Sequence, residues 1–132
     1  MGAWAEGSFD NDDAGDWMGD LENAEDISVL EEAFSAVNEL GTDDYLEAPE
    51  CSIAIAAAEV VAAMRKHPAA KLPEPVVKYV ARVGPPSPAL VTAALAALER
   101  IRRKSELQEL WDENKNSELW HQAVADLETR LG

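Results

Sequence analysis

Cysteine is almost absent from this sequence, and its scarcity excludes one class of fold. The chain has a single cysteine, Cys51, so it cannot be one of the small secreted scaffolds that internal disulfides hold together. Long apolar runs are also missing, because the longest, Ile53 to Met64, is too short to cross a bilayer and contains Glu59. The opening residues lack the basic and apolar regions of a signal peptide. We therefore expect a cytoplasmic protein.

Basic residues are missing from the first half of the chain. Met1 to Met64 contains 17 acidic residues and no Lys or Arg, whereas the remainder contains 9 acidic and all 11 basic residues. The net charge of -15 repels nucleic-acid phosphates and anionic lipids and attracts basic proteins. We expect no nucleic-acid or membrane partner, and a basic protein if the charge is functional. The alternative is that the charge only keeps the protein soluble and monomeric.

Helix signals follow one another along the chain. They predict helices that begin after Asn11, at a capping box of Ser28 and Glu31, near Pro49, after Pro73-Glu74-Pro75, at Ser87, at Ser105 and at Ser117. The valines of the fourth element would also suit a strand. We expect one all-α domain over residues 1–132, a compact bundle of six or seven helices with no internal repeat.

Two alanine-rich helices are predicted to form the centre of the bundle. The third helix is apolar on every side from Ile53 to Met64 except at Glu59, and the fifth is apolar all round from Ala89 to Leu98. A helix that is apolar all round is a buried one in a soluble protein. The fifth helix ends in a basic cluster, which should contact an acid of the first half: Arg100, Arg102, Arg103 and Lys104.

A long motif opens the chain and combines glycines, aromatics and acids. It runs from Gly2 to Trp17 as Gly-Ala-Trp-Ala-Glu-Gly-Ser-Phe-Asp-Asn-Asp-Asp-Ala-Gly-Asp-Trp. This motif resembles the opening of an uncharacterised bacterial family, Met-Gly-Ala-Trp-Gly-x-Gly-x-Phe-x-Asn-Asp-x-Ala-x-Asp-Trp, and the likeness continues at Tyr45–Ala48, Ala57–Ala63 and Ser105–Trp111. Because that family is of unknown function, the resemblance implies kinship and no activity.

The same opening motif supplies the candidate partner-binding residues. Aromatic side chains ringed by acids would suit a basic partner, since tryptophan is enriched at the residues that dominate binding. The candidates are Trp4, Phe9, Asp10, Asp12, Asp13, Asp16 and Trp17. In the alternative interpretation the two aromatics nearest the start pack under the bundle, and the acids only stabilise the start of the first helix.

Three acids around the third helix offer a different function. Glu47, Glu50 and Glu59 invite comparison with the Mg²⁺ or Mn²⁺ sites of helical nucleotide pyrophosphohydrolases, but the apolar part of the fifth helix supplies no acid to complete such a site. No nucleophile motif and no phosphate-binding loop is present. A zinc site or a catalytic dyad has too few ligands, which are Cys51, His67 and His121. We predict no catalytic residue, no metal and no cofactor.

These observations favour a non-catalytic interaction protein of the bacterial cytoplasm. Its most specific form is an immunity-type antagonist that uses the acidic half of the chain to mask a basic partner. Two alternatives stay open. One is a carboxylate–metal-dependent nucleotide hydrolase. The other is a homo-oligomeric structural protein, for which a large apolar patch on the last helix would be the sign.

The expected burial of the Glu59 carboxylate leads to a prediction about stability. A carboxylate on a central helix should be buried, and it then needs donors, for which we predict the indoles of Trp4 or Trp17 and the backbone of Gly2 to Phe9. Glu59→Gln should therefore lower the melting temperature, and Glu59→Ala should cost more, roughly 1–3 kcal/mol for the stranded donors. Thermal melts followed by circular dichroism measure this, and a Glu59→Ala variant that melts like the wild type would contradict it.

Overall fold

A computed structural model describes residues 12–41, 43–66, 73–113 and 117–132 of the chain. Over these ranges the backbone forms seven α-helices and no strand, which confirms the predicted all-α bundle. The helices are α1 (Asp12–Asn23), α2 (Ser28–Asn38), α3 (Ala48–Met64), α4 (Glu74–Val83), α5 (Pro88–Arg103), α6 (Glu106–Asp112) and α7 (Ser117–Leu131). None of the helices in these ranges is long and apolar enough to cross a membrane.

Helix α3 is the centre of the bundle, as its all-round apolar sequence predicts. It packs against each of the other six helices described, and α5 packs against α2, α3, α6 and α7. Nearly every residue of α3 from Cys51 to Met64 is buried, and most of these are Ala or Val. Small side chains let several helices approach one axis closely, which a row of leucines would prevent.

Serine caps are confirmed at two of the predicted helix starts and are wrong in detail at a third. The side chains of Ser87 and Ser105 accept hydrogen bonds from the amides three residues on. Ser28, by contrast, is already the first residue of α2 and makes no cap. Its amide and hydroxyl both donate to Oδ1 of Asp26, at 3.0 and 2.6 Å. The amide of Glu31, which the serine oxygen of a capping box would bind, donates instead to the carbonyl oxygen of Ile27 at 3.0 Å.

The fourth element is a helix and not the strand that its valines left open. Helix α4 buries Val76 and Tyr79, and the Tyr79 hydroxyl donates to the main-chain oxygen of Asp26 at 2.7 Å. The guanidinium of Arg82 donates to three main-chain oxygens around the end of α1, at 3.1 to 3.3 Å. These bonds attach α4 to the α1–α2 connection and hold the first two helices in place.

The basic cluster at the end of α5 contacts the acidic half through the main chain. Arg100 donates to the carbonyl oxygens of Gly41 and Asp44, at 3.1 and 2.6 Å. Arg102 and Arg103 instead form ion pairs with acids of the second half, Glu128 and Glu99. Arg100 therefore contacts an acidic residue of the first half, Asp44, as expected. The main-chain carbonyl of Asp44 accepts the hydrogen bond, and its carboxylate does not.

Glu59 is buried in the core and is bound by an arginine from the last helix. Its exposed fraction is 4%, and its two oxygens accept from Nη1 and Nη2 of Arg130 at 2.7 and 3.0 Å. Hydrogen bonding to Glu59 raises the pKa of Arg130, whose Nε also donates to Asp126 at 2.8 Å. Of the donors predicted for this carboxylate, Trp17 makes no hydrogen bond to it among those given for the described residues. Trp4 and the Gly2 to Phe9 segment lie outside the described residues.

Breaking the Glu59–Arg130 pair from one side should cost more than removing both partners. Glu59→Leu or Arg130→Met leaves a charge in a largely apolar setting, and we expect each to lower the free energy of unfolding by on the order of 3 kcal/mol. In the double variant the free energy of unfolding should fall by clearly less than the sum of the two single losses, because no unpaired charge is left in the core.

Urea denaturation of the four proteins measures this coupling. Asp126→Asn is the matched control, because Asp126 also contacts Arg130 but its side chain is 66% exposed. Its free energy of unfolding should fall by less than about 1 kcal/mol. Additive losses in the double variant would show that the two side chains do not stabilise each other.

Candidate functional site

A groove opens where α1, α2 and α3 meet. It encloses about 390 Å³ and draws residues from each of the three helices. We call it the acidic groove, and its lining residues are Trp17, Asp20, Ser28, Val29, Glu32, Ala33, Ala36, Glu50 and Ile53.

The inner wall of the acidic groove is apolar. Trp17 and Ala33 are each 6% exposed, so they present only an edge to the groove while the rest of each side chain packs in the core. Val29 and Ile53 are half-buried beside them. Helical spacing explains the arrangement, because Val29 and Ala33 lie four residues apart and share one face of α2.

Three carboxylates stand at the acidic groove. Asp20 and Glu32 are exposed, whereas Glu50 is half-buried, and its Oε2 atom is buried without a hydrogen-bond partner. Glu50 lies in the first turn of α3, where the positive end of the helix dipole favours a carboxylate. A buried acceptor that receives no hydrogen bond costs about 1–3 kcal/mol. This oxygen has almost no accessible surface, so it lies beneath the wall of the groove, and it accepts no hydrogen bond from the described residues.

A second, shallower concavity runs along the outer side of α2. It measures about 620 Å³ and shares Ser28, Glu32 and Ala36 with the acidic groove. We call it the α2 shelf, and its other lining residues are Glu31, Ser35, Glu39 and Leu40. The acidic groove and the α2 shelf together form one continuous, acid-lined surface.

The acids of the first two helices are not neutralised within the described part of the chain. They make no ion pair with another described residue, in contrast to Glu59 and to most acids of the second half. The acids concerned are Asp13, Asp16, Asp20, Glu22, Glu31 and Glu32. The described part of the chain therefore leaves these six carboxylates without an ion-pair partner.

The structure brings few of the predicted partner-binding residues to this surface. Trp4, Phe9 and Asp10 lie outside the described residues, and Asp12 is the first residue of α1. Asp13 is half-buried and Asp16 is exposed, and neither lines the groove. Trp17 does line it, but as part of the wall and not as the protruding anchor that the sequence suggested.

Sequence reasoning did not assign Asp20, Glu32 and Glu50 to one site with Trp17. Asp20 follows Trp17 by three residues on α1, so helical periodicity alone could have placed the two side by side. Glu32 and Glu50 belong to other helices, and no local pattern links them to Trp17. Only the packing of α1 and α2 against α3 brings them to the groove.

The three acids of the metal hypothesis do not converge. Glu47 is exposed, Glu50 is half-buried, and Glu59 is buried against Arg130. Glu50 and Glu59 are nine residues apart on one helix, which places them on opposite faces and about 13 Å apart along the axis. Within the described ranges, no group of three or more His, Cys, Asp or Glu side chains could hold a metal ion.

The apolar stripe of the last helix is used inside the chain. Trp120, Val124 and Leu127 of α7 are buried, and the Trp120 ring stacks on Trp111 of α6 with centroids 6.3 Å apart. Leu119 is 48% exposed, but a single leucine is not the large patch that would indicate a homo-oligomer.

Comparison with known proteins gives a family without an activity. A family model described as a domain of unknown function, DUF4259, matches residues 2–123. The match includes every residue of the acidic groove and Glu59, but it ends before Arg130. The search of curated proteins gave no match, and the search of solved structures gave none.

Cys51 is predicted to be unreactive in the folded protein. Burial raises the pKa of its thiol to about 11, although hydrogen bonds involving Ser105 and the Leu107 backbone act in the opposite direction. Because only the thiolate reacts, iodoacetamide at pH 8 should label the native protein at least about 100-fold more slowly than the urea-unfolded protein. Free N-acetylcysteine is the control, and comparable rates in the native and unfolded protein would contradict the assignment.

Proposed function

We propose that this chain, which belongs to the DUF4259 family of domains of unknown function, is a non-catalytic interaction protein that binds a basic protein partner. The observation that supports this is the continuous surface of the acidic groove and the α2 shelf. Its acids make no ion pair with the described residues. A surface of one charge sign speeds encounter with a partner of opposite sign and selects against like-charged molecules.

The basic residues of the second half are engaged elsewhere, which supports the same proposal. Arg82 and Arg100 donate to main-chain oxygens, Arg102 pairs with Glu128, and Arg130 pairs with Glu59. The chain therefore uses many of its cations to join its own helices. The acids of α1 and α2 are left for a cation supplied by another molecule.

The setting we propose is the bacterial cytoplasm, and the specific form is an immunity-type antagonist. The opening motif, with its resemblance to a bacterial family, supports the setting. An acidic surface on a small helical protein suits an antagonist, because covering a basic functional site requires charge complementarity and no chemistry. Neither an enzymatic role nor a self-assembling one gains support from the described geometry.

Neutralising the acidic surface tests this proposal. The variant Asp16→Asn, Glu31→Gln, Glu39→Gln removes three charges outside the acidic groove, two on the α2 shelf and one on the neighbouring exposed Asp16 of α1. The matched control, Glu74→Gln, Glu99→Gln, Glu113→Gln, removes three from the second half. Each protein is used as bait in an extract of the source cell at ionic strength below about 0.15 M, where charge contacts act at longest range, and native mass spectrometry identifies what is bound.

We expect the wild type and the control to capture a basic protein. With that protein purified, calorimetry should show binding that weakens as salt is added, and at least about tenfold weaker binding by the surface variant. Recovery of no basic protein, or equal losses in the surface variant and the control, would overturn the proposed function.

A further inference from the structure

We infer that α6 is a displaceable lid, which opens as a unit and uncovers the Cys51 thiol while the other six described helices stay folded. The inference goes beyond the proposed function and does not depend on it. It is carried by the position of α6 directly over the thiol and by the few contacts that hold this short helix in place.

The first turn of α6 covers the thiol of Cys51. This residue of α3 is fully buried, and its thiol takes part in hydrogen bonds that involve Ser105 and the Leu107 backbone. The hydroxyl of Ser105 also donates to the carbonyl oxygen of Ile101 in α5, at 2.7 Å. Because Ser105 is attached to α5 in this way, the residues that must move to uncover the thiol are those of α6 itself.

Helix α6 depends on its neighbours for its helical conformation. It has seven residues, and helices shorter than about 12–15 residues are marginal on their own in water. Of these seven residues, only Leu107 and Trp111 are buried. Extended backbone at Lys104 and Ser105 separates α6 from α5, so α6 can unwind without breaking the hydrogen bonds within α5.

Two of the bonds that fasten α6 lie at the surface of the protein. The Tyr45 hydroxyl donates to Oε2 of Glu109 at 2.9 Å, and Nε2 of His121 donates to Oδ1 of Asp112 at 2.8 Å. Water competes for all four groups, so each bond contributes little to stability. Helix α4 also buries only two residues, but it is held by four hydrogen bonds to main-chain oxygens.

The remaining bonds of α6 are made at a single residue, Glu106. Its amide donates to the carbonyl oxygen of Leu46, and its carboxylate accepts from the amide of Ala48, both at 2.8 Å. Both partners belong to the segment that leads into α3, as Tyr45 does. These contacts are therefore lost together when α6 leaves that segment, which makes opening one event and not the gradual fraying of an end.

Thiol labelling of the full native chain measures this opening, because the sequence contains no other cysteine. Ellman's reagent is used at pH 8, in the range where the rate is proportional to its concentration, and urea is varied below the unfolding transition. We expect labelling at least about 100-fold slower than in the unfolded protein. The rate should rise only slightly with urea, because opening one short helix exposes little surface.

Amide hydrogen exchange followed by NMR gives a second measure of the same event. The amides of Leu110 and Trp111 should exchange with the free energy of opening that the labelling of Cys51 gives. The amides in the middle of α3 should be protected more strongly, since they exchange only when the bundle unfolds.

Variants that each remove one exposed bond identify what holds the lid closed. Tyr45→Phe and His121→Ala should each speed the labelling of Cys51 by about threefold. Asn38→Ala is the matched control, because Asn38 is exposed and donates one bond from α2 to the carbonyl oxygen of Ala93 in α5, at 3.0 Å. It should lower the urea midpoint of global unfolding but leave the labelling rate without urea unchanged.

Three results would overturn the lid. The first is labelling no faster than global unfolding allows, with the same steep dependence on urea. The second is equal acceleration by Tyr45→Phe and Asn38→Ala, which would mean that the thiol is reached only when the whole bundle unfolds. The third is an unchanged labelling rate in both Tyr45→Phe and His121→Ala, which would mean that the bonds of α6 do not control access to the thiol.

Discussion

A bidentate ion pair in the core links the first half of the chain to its last helix. Glu59 is the one charged residue in the apolar stretch of α3, and α3 is the helix on which the other six described helices pack. A carboxylate in that position is tolerated only if a donor reaches it, because the desolvation cost is several kcal/mol per ion. Arg130 supplies the donors at 2.7 and 3.0 Å. Helix α7 must therefore pack where Arg130 can reach the carboxylate of Glu59 on α3.

The uneven charge of the folded chain depends on which groups its Lys and Arg residues contact. The second half contains all the Lys and Arg residues, and several of them join helices through carbonyl oxygens or through acids of their own half. Cross-helix hydrogen bonds from arginine therefore stabilise the bundle without neutralising α1 and α2. In the described part of the chain the acids of α1 and α2 therefore lie together at a groove whose wall includes Trp17.

The groove also shows how a structural requirement creates a candidate site. Helix α3 needs an acid near its start for favourable interaction with the helix dipole, and Glu50 supplies it. The packing of α1 and α2 over that turn then buries one oxygen of Glu50 without giving it a donor. A position that is favourable within the isolated helix thus becomes incompletely satisfied in the folded chain.

Local signals were enough to predict the helical class and most helix boundaries, because caps, prolines and apolar periodicity act over a few residues, and the uneven charge follows from the composition. The sequence also predicted that α3 and α5 are central, since a helix that is apolar all round has no face for water. Only the tertiary structure decided which groups meet. Arg130 is 71 residues from Glu59, and Trp17, Glu32 and Glu50 come from three helices. No local pattern encodes such pairs, because their proximity depends on how the helices pack together.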